Sequence, residues 1–377
     1  MPTPFSRLLL LGSISLAGVA CPTRTVYYDA GTSAGGGAGG AADGGLAGNP
    51  AAGGRSGGTA GTDASIAAGM GGGGQQGRGF TGSPCIVNYD GAEIIYAHGD
   101  DQGIYSRNRV NGVWAPWSKV QLDGSIVAPR SGIGCSEGKG DIYLVGLSAS
   151  PMGEMLFAEG NPVQFGGFEH ELGVETFSPP AASISSAAGQ DRFYLIGAMD
   201  DGPQLWMVDG STFTQLTPIS SQTTPFVSAI DVALQADNPV WLRVVAGFEK
   251  SGQLGIYDNV LNAGSGSWGS PLYVPPPANH VYAFSPAVCA DQSGTNHDVH
   301  LAVVTEGGEV WDSFQTALGA SSSFSPWELV GQGAGSAVDC TIMSDFTVRI
   351  VALNADGRAL EIQGSPGSWV QADLGTY

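Results

Sequence analysis

The sequence predicts an all-β chain built from six copies of one unit of about fifty residues. Three observations carry this. An aromatic residue opens the last strand of each unit, at Trp117, Phe168, Phe213, Trp268, Trp327 and Trp369, in steps of 51, 45, 55, 59 and 42 residues. Apolar and polar residues alternate with period two between turn residues placed about every eight to twelve positions. Helical periodicity is almost absent. Short strands and turns recurring at that interval predict a six-bladed β-propeller of four-stranded blades over residues 81–377.

Each unit repeats one order of parts. A first strand of small residues comes first, as in Ser336-Ala337-Val338-Asp339-Cys340 and Pro286-Ala287-Val288-Cys289. A strongly apolar second strand follows: Ile94–Tyr96, Ile142–Val145, Phe193–Ile196, Val240–Leu242, Val299–Val303 and Val348–Val351. An Asp- and Gly-rich turn then leads to a third strand, placed around Ile104, Leu205, Leu254, Val310 and Leu360. The fourth strand starts at the aromatic marker. A core of this size needs no disulfide for stability.

Four cysteines are in phase with the repeat, in the first strands of units one, two, five and six. Channel-lining strands favour small residues, so cysteine can serve there as a filler. The alternative is pairing between neighbouring units, Cys85 with Cys135 and Cys289 with Cys340, provided that Cα atoms approach within about 7 Å.

The amino terminus has the form of an export signal, residues 1–20: Arg7, an apolar stretch Leu8–Leu16, and the small residues Gly18, Val19 and Ala20 before Cys21. Cys21 is the expected lipidation site, because removing it from five cysteines leaves an even four. Gly18 stands where a lipobox usually has Leu, and ordinary cleavage after Ala20 is the other reading. Residues 21–80 form a linker; 21 of residues 31–80 are Gly, too little apolar surface to offset ordering. As a flexible coil it reaches roughly 40 Å. This arrangement resembles myxobacterial surface lipoproteins. It implies an exported outer-membrane or cell-surface lipoprotein of a Gram-negative bacterium, held to the membrane by lipid alone, or else a secreted or periplasmic protein.

The net charge of −20 argues against nucleic acid and anionic membrane surfaces. Gly-x-Ser-x-Gly patterns at Ser33, Ser56 and Ser136 lack the strand-turn-helix setting of a catalytic elbow. His297 and His300 lie three apart on a strand and point to opposite faces, so they do not form a metal pair. His98, His170 and His280 stand singly and read as structural or solvated. The turn pairs Asp100-Asp101 and Asp200-Asp201 offer oxygen ligands for calcium, but acidic turns also serve solubility, and no cofactor is expected.

Asp101-Gln102-Gly103-Ile104-Tyr105-Ser106-Arg107 followed by Gly112-Val113-Trp114-Ala115-Pro116-Trp117 resembles bacterial and fungal fucose-lectin propellers. The phrase recurs in Glu309-Val310-Trp311 with Phe324-Ser325-Pro326-Trp327. The resemblance implies sugar sites between blades, where an aromatic stacks on the sugar and Arg and an acid hold it. Tyr105, Trp206 and Trp311 are the stacking candidates, and Arg107 is the candidate cation. Val208, Ser313 and Ile362 replace the Arg in other units, so any sites are few and non-equivalent. Packing between blades is the competing role for these aromatics. The expected function is non-catalytic binding of a glycan by a monomer. A protein-interaction or structural scaffold of the envelope is the alternative, with a propeller glycosidase or lyase behind both.

Overall fold

The computed structural model describes residues 78–123, 133–147 apart from 139, 155–166, 181–185, 192–199, 202–209, 212–215, 226–237, 240–250, 253–262, 265–291 apart from 285, 298–316 and 323–377. The signal, Cys21, the linker up to residue 77, Phe168, His170, Asp200, Asp201 and His297 lie outside these residues. Among the described residues every regular element is a strand, and none is a helix long and apolar enough to cross a membrane. The first strand begins at Phe80, which is buried, one residue ahead of the boundary read from composition.

The strands form six sheets, one per sequence unit. The innermost strands of sheets 1 to 6 are Phe80–Tyr89, Gly134–Glu137, Ala181–Ser185, Phe226–Asp237, Ala287–Ala290 and Asp339–Ile342. Each sheet then runs outward as an antiparallel meander through its second, third and outer strands. Sheet 2 adds Gln121–Leu122, which leaves sheet 1 and pairs in parallel with Gln164–Phe165. Every inner strand lies against the inner strand of the next sheet, and that of sheet 6 returns to that of sheet 1. A closed ring of radially arranged sheets buries both faces of each sheet. That is why a second strand such as Val348–Leu353 is buried at every position.

The inner ring is bridged at four successive junctions, alternately by a carboxylate and a disulfide. Asp231 Oδ2 of sheet 4 accepts the Val288 N–H of sheet 5 at 2.7 Å. Cys289 and Cys340 then join sheets 5 and 6, with Cα atoms 5.6 Å apart. Asp339 Oδ2 of sheet 6 accepts the Ile86 N–H of sheet 1 at 2.8 Å. Cys85 and Cys135 join sheets 1 and 2, with Cα atoms 5.8 Å apart. Cys85, Cys135 and Asp339 also lie close enough to hold a metal ion, but sulfurs bonded to each other leave no thiolate to ligate one.

The carboxylates in this belt retain some exposed surface yet are densely surrounded by protein. Burial raises the Asp339 carboxyl to about 7, against the pull of its two backbone N–H donors. Burial, then the charge of Asp339, raises Asp231 well above the usual carboxylate range. Burial and Asp90 likewise lift Glu137 to about 7. From about pH 4 to pH 7 the folded chain holds protons that the unfolded chain has released. These three carboxyls therefore lower stability as pH rises from about 4 to about 7. Their effect exceeds that of buried His98, whose depressed pKa acts in the opposite sense. Asp101, held down at about 2, titrates below this window. Urea midpoints at about pH 4.5 and 7.5 are expected to show this fall, and Asp339→Asn to reduce it. A wild-type midpoint that rises over the interval would contradict the assignment.

Candidate ligand clefts between sheets

Strand register brings one position of each third strand into equivalence. Tyr105 pairs with Ala97, Phe157 with Val145, Trp206 with Leu195, Tyr257 with Ala246, Trp311 with Val303 and Leu360 with Ala352. Five of the six sheets thus carry an aromatic there. Phe157 and Tyr257 were not among the candidates read from the sequence. Their signal was present: Gly255-Ile256-Tyr257 repeats Gly103-Ile104-Tyr105. In the clefts between sheets 6 and 1 and between sheets 4 and 5, this aromatic faces the preceding sheet: Tyr105 meets sheet 6, and Trp311 meets sheet 4.

The aromatic markers of the outer strands resolve into two positions. Trp114, Trp268 and Trp369 pair four residues after the third-strand aromatic position, with Arg109, Leu261 and Gly364. Phe213 pairs with Val208, two residues after Trp206. Trp117 and Trp327 fall at that same nearer position, beside the paired Ser118 and Glu328. The uneven steps along the sequence come partly from mixing these two positions.

Between sheets 6 and 1, Tyr105 is buried within a cluster of rings. Tyr377 stacks on it with ring centroids 3.7 Å apart, and Phe80 lies 6.2 Å away, edge-on. Arg107 does not project a free guanidinium into this cleft. Its Nε donates to the Ala115 carbonyl at 2.6 Å, its Nη1 to the Leu374 carbonyl, and it lies over the Trp117 ring. Arg107 therefore fastens sheet 1 to the outer strand of sheet 6. The turn acids are also occupied. Asp101 accepts from Lys119 at 2.8 Å, from the Tyr105 hydroxyl at 2.9 Å and from the Gly103 N–H at 2.9 Å, and Asp100 accepts from the Tyr377 hydroxyl. The Lys119 hydrogen bond contributes most to holding Asp101 at about 2.

The cleft between sheets 4 and 5 is more open. Trp311 is half-buried; its indole N–H is turned away from solvent and has no protein acceptor. His280 lies 5.1 Å from the indole, tilted by 53°. The run Pro275-Pro276-Pro277 and the left-handed turn at Asn279 (φ 67°) carry His280 to this place, a position that Asn tolerates. Glu309 Oε2 lies 3.0 Å from His280 Nδ1 and accepts the Thr305 hydroxyl at 2.9 Å. Trp327 forms a further wall, its Nε1 donating to the Pro275 carbonyl at 2.9 Å. A partly exposed aromatic ring, a carboxylate and an imidazole therefore converge here. His280, isolated in the sequence, joins the site through the fold. Of Trp206 the structure describes the backbone register alone.

A base–acid pair does recur, inside the sheets. Arg243 with Asp258, His300 with Asp312 and Arg349 with Glu361 occupy one diagonal between the second and third strands of sheets 4, 5 and 6. All six residues are buried. The partners lie on different strands, so no spacing along the sequence reveals the pair. His300 Nδ1 lies 2.9 Å from Asp312 Oδ2, so this histidine is engaged inside its own sheet.

No protein-family model and no curated protein matches the chain. Solved structures do match. The SapL1 lectin, in complex with α-methyl fucoside, is 15% identical and aligns over 79% of this chain and 97% of its own, with a TM-score of 0.58. The lectin of Aleuria aurantia, described as a six-bladed β-propeller with a fucose recognition mode, is 12% identical over 80% of this chain and 98% of its own, with a TM-score of 0.57. The BP39L lectin of Burkholderia pseudomallei is 17% identical over 78% of this chain and 85% of its own, with a TM-score of 0.52. The chain is a β-propeller. At such identities the likeness carries the fold, and the ligand of this propeller has to be argued from its own clefts.

Proposed function

We propose that this chain is a six-bladed, non-catalytic propeller that binds a glycan in the cleft between sheets 4 and 5. The observation that carries this reading is Trp311, whose half-buried ring lies beside His280 and the Glu309 carboxylate paired with it. An aromatic face suits the apolar face of a pyranose, while Glu309 and His280 offer hydrogen bonds to its hydroxyls. The fold shared with fucose-binding lectins supports it. Stacking is worth about 1 kcal/mol beyond the area buried, so Trp311→Ala is expected to weaken glycan retention at least about fivefold. A glycan array of the full chain, repeated with EDTA, tests this, with circular dichroism to show that the variant is folded. A blank array on folded wild-type protein would overturn the glycan reading. The reading as an envelope scaffold with a protein partner would then take its place.

The same reading places the propeller outside the cytoplasm on a flexible tether, anchored by lipid at Cys21. The N-terminal signal pattern and the Gly-rich composition support it. Incorporation of labelled palmitate, lost in Cys21→Ala, is the expected outcome. Labelling that persists in that variant would argue against this anchor.

A further inference from the structure

Two clefts present an aromatic from the same register position to the preceding sheet, and they differ in what covers it. Trp311 has His280 beside it at a steep tilt. Tyr105 has Tyr377 lying flat on it, with 26° between the planes, and is only 7% exposed. The hydroxyl of Tyr377 is held by the Asp100 carboxylate and lies 3.3 Å from the Asp101 N–H, which donates to it. Polar groups surround the stack: the Tyr105 hydroxyl and Lys119 Nζ both donate to Asp101 Oδ2. Phe80 closes one side, 5.2 Å from the Tyr377 ring. A six-membered ring laid on an aromatic, its hydroxyl held by a carboxylate and a backbone N–H, uses the contacts available to a pyranose. Tyr377 makes those contacts from within the chain. It stands two residues beyond the outer strand Ser368–Gly375 and keeps part of its surface in solvent.

We propose that Tyr377 is an internal occupant of a second ligand slot, built on Tyr105, that accepts a pyranoside or an aryl group when Tyr377 swings out. The pyranoside class rests on the glycan reading above; the slot itself does not. An occupant tethered two residues away competes at high effective concentration, so external ligands bind weakly until it is displaced.

The test uses the full chain as wild type, Tyr377→Ala, Tyr377→Phe and the double variant Tyr377→Ala/Tyr105→Ala. p-Cresol, which copies the tyrosine side chain, and α-methyl fucoside are titrated by calorimetry. Tyr377→Ala is expected to gain one p-cresol site per chain, at least tenfold tighter than any in wild type. Tyr377→Phe is expected to remain closed, and the double variant to lose the gain. Glycoside stoichiometry is expected to rise by one in Tyr377→Ala. A folded Tyr377→Ala that binds p-cresol no better than wild type overturns the proposal. Gain of p-cresol with no glycoside bound by any protein upholds the internal occupant and overturns the glycan reading. If Tyr377→Ala does not fold, wild-type protein is titrated with p-cresol and followed by NMR. Saturable shifts of the Tyr105 ring signals uphold the slot, and their absence overturns it.

Discussion

Removing the disulfides is expected to cost this propeller about 4 kcal/mol for each bond. The cross-links close segments of 50 and 51 residues, and the chain-entropy relation gives about that value for loops of this length. The two loops do not overlap in sequence, so their entropic contributions are independent to first order. They are coupled structurally, because Asp339 adjoins Cys340 and accepts the N–H of Ile86, the residue after Cys85. Cys85→Ser/Cys135→Ser, Cys289→Ser/Cys340→Ser and the fourfold variant, unfolded in urea, measure both effects. Each pair is expected to lower stability by about 4 kcal/mol, and departure from additivity reports the Asp339 bridge. A reductant that leaves the wild-type midpoint unchanged would return these residues to the role of small fillers.

The repeat was legible because each sheet needs the same ingredients: small residues near the axis, an apolar second strand and a turn. The cysteine pairing was half-legible. Phase restricted which sheets could be joined, but only the inner ring brings the Cα atoms to 5.8 and 5.6 Å. Register within a sheet was the part that sequence spacing obscured. In sheet 4 the second and third strands extend to Lys250 and Gln253, so Gly255-Ile256-Tyr257 begins two residues inside its strand. Leu254, the apolar residue that sequence spacing favours there, pairs instead with Glu249. Tyr105 and Arg107 had a suitable local pattern, yet their partners Tyr377 and Leu374 lie at the other end of the sequence. No local pattern reports which residues meet where a ring closes.

Ring closure also carries the largest single-residue effect expected. The chain passes directly from each sheet to the next except between sheets 6 and 1, which are joined from opposite ends of the propeller segment. Four charges meet at this junction. Arg349 Nε lies 2.9 Å from Glu93 Oε2, and its Nη2 donates to Glu93 Oε1 at 3.2 Å. Arg109 Nη1 reaches Glu93 at 3.3 Å, Glu361 at 3.1 Å and Gln363 at 3.0 Å. The Trp114 indole donates to Glu361 Oε2 at 2.9 Å. Two guanidinium groups and two carboxylates balance, and Glu93, Arg349 and Glu361 are buried, so losing one leaves charge unpaired in a poorly solvated place. Arg349→Met is expected to cost about 3–5 kcal/mol, since Glu93 and Glu361 then share Arg109 alone. Adding Glu93→Gln restores neutrality, leaving Arg109 to Glu361, and is expected to recover a substantial part of that loss. Urea unfolding of both singles and the double variant decides the matter. A double variant less stable than Arg349→Met would show that hydrogen-bond geometry at this junction, and not charge balance, holds the ring closed.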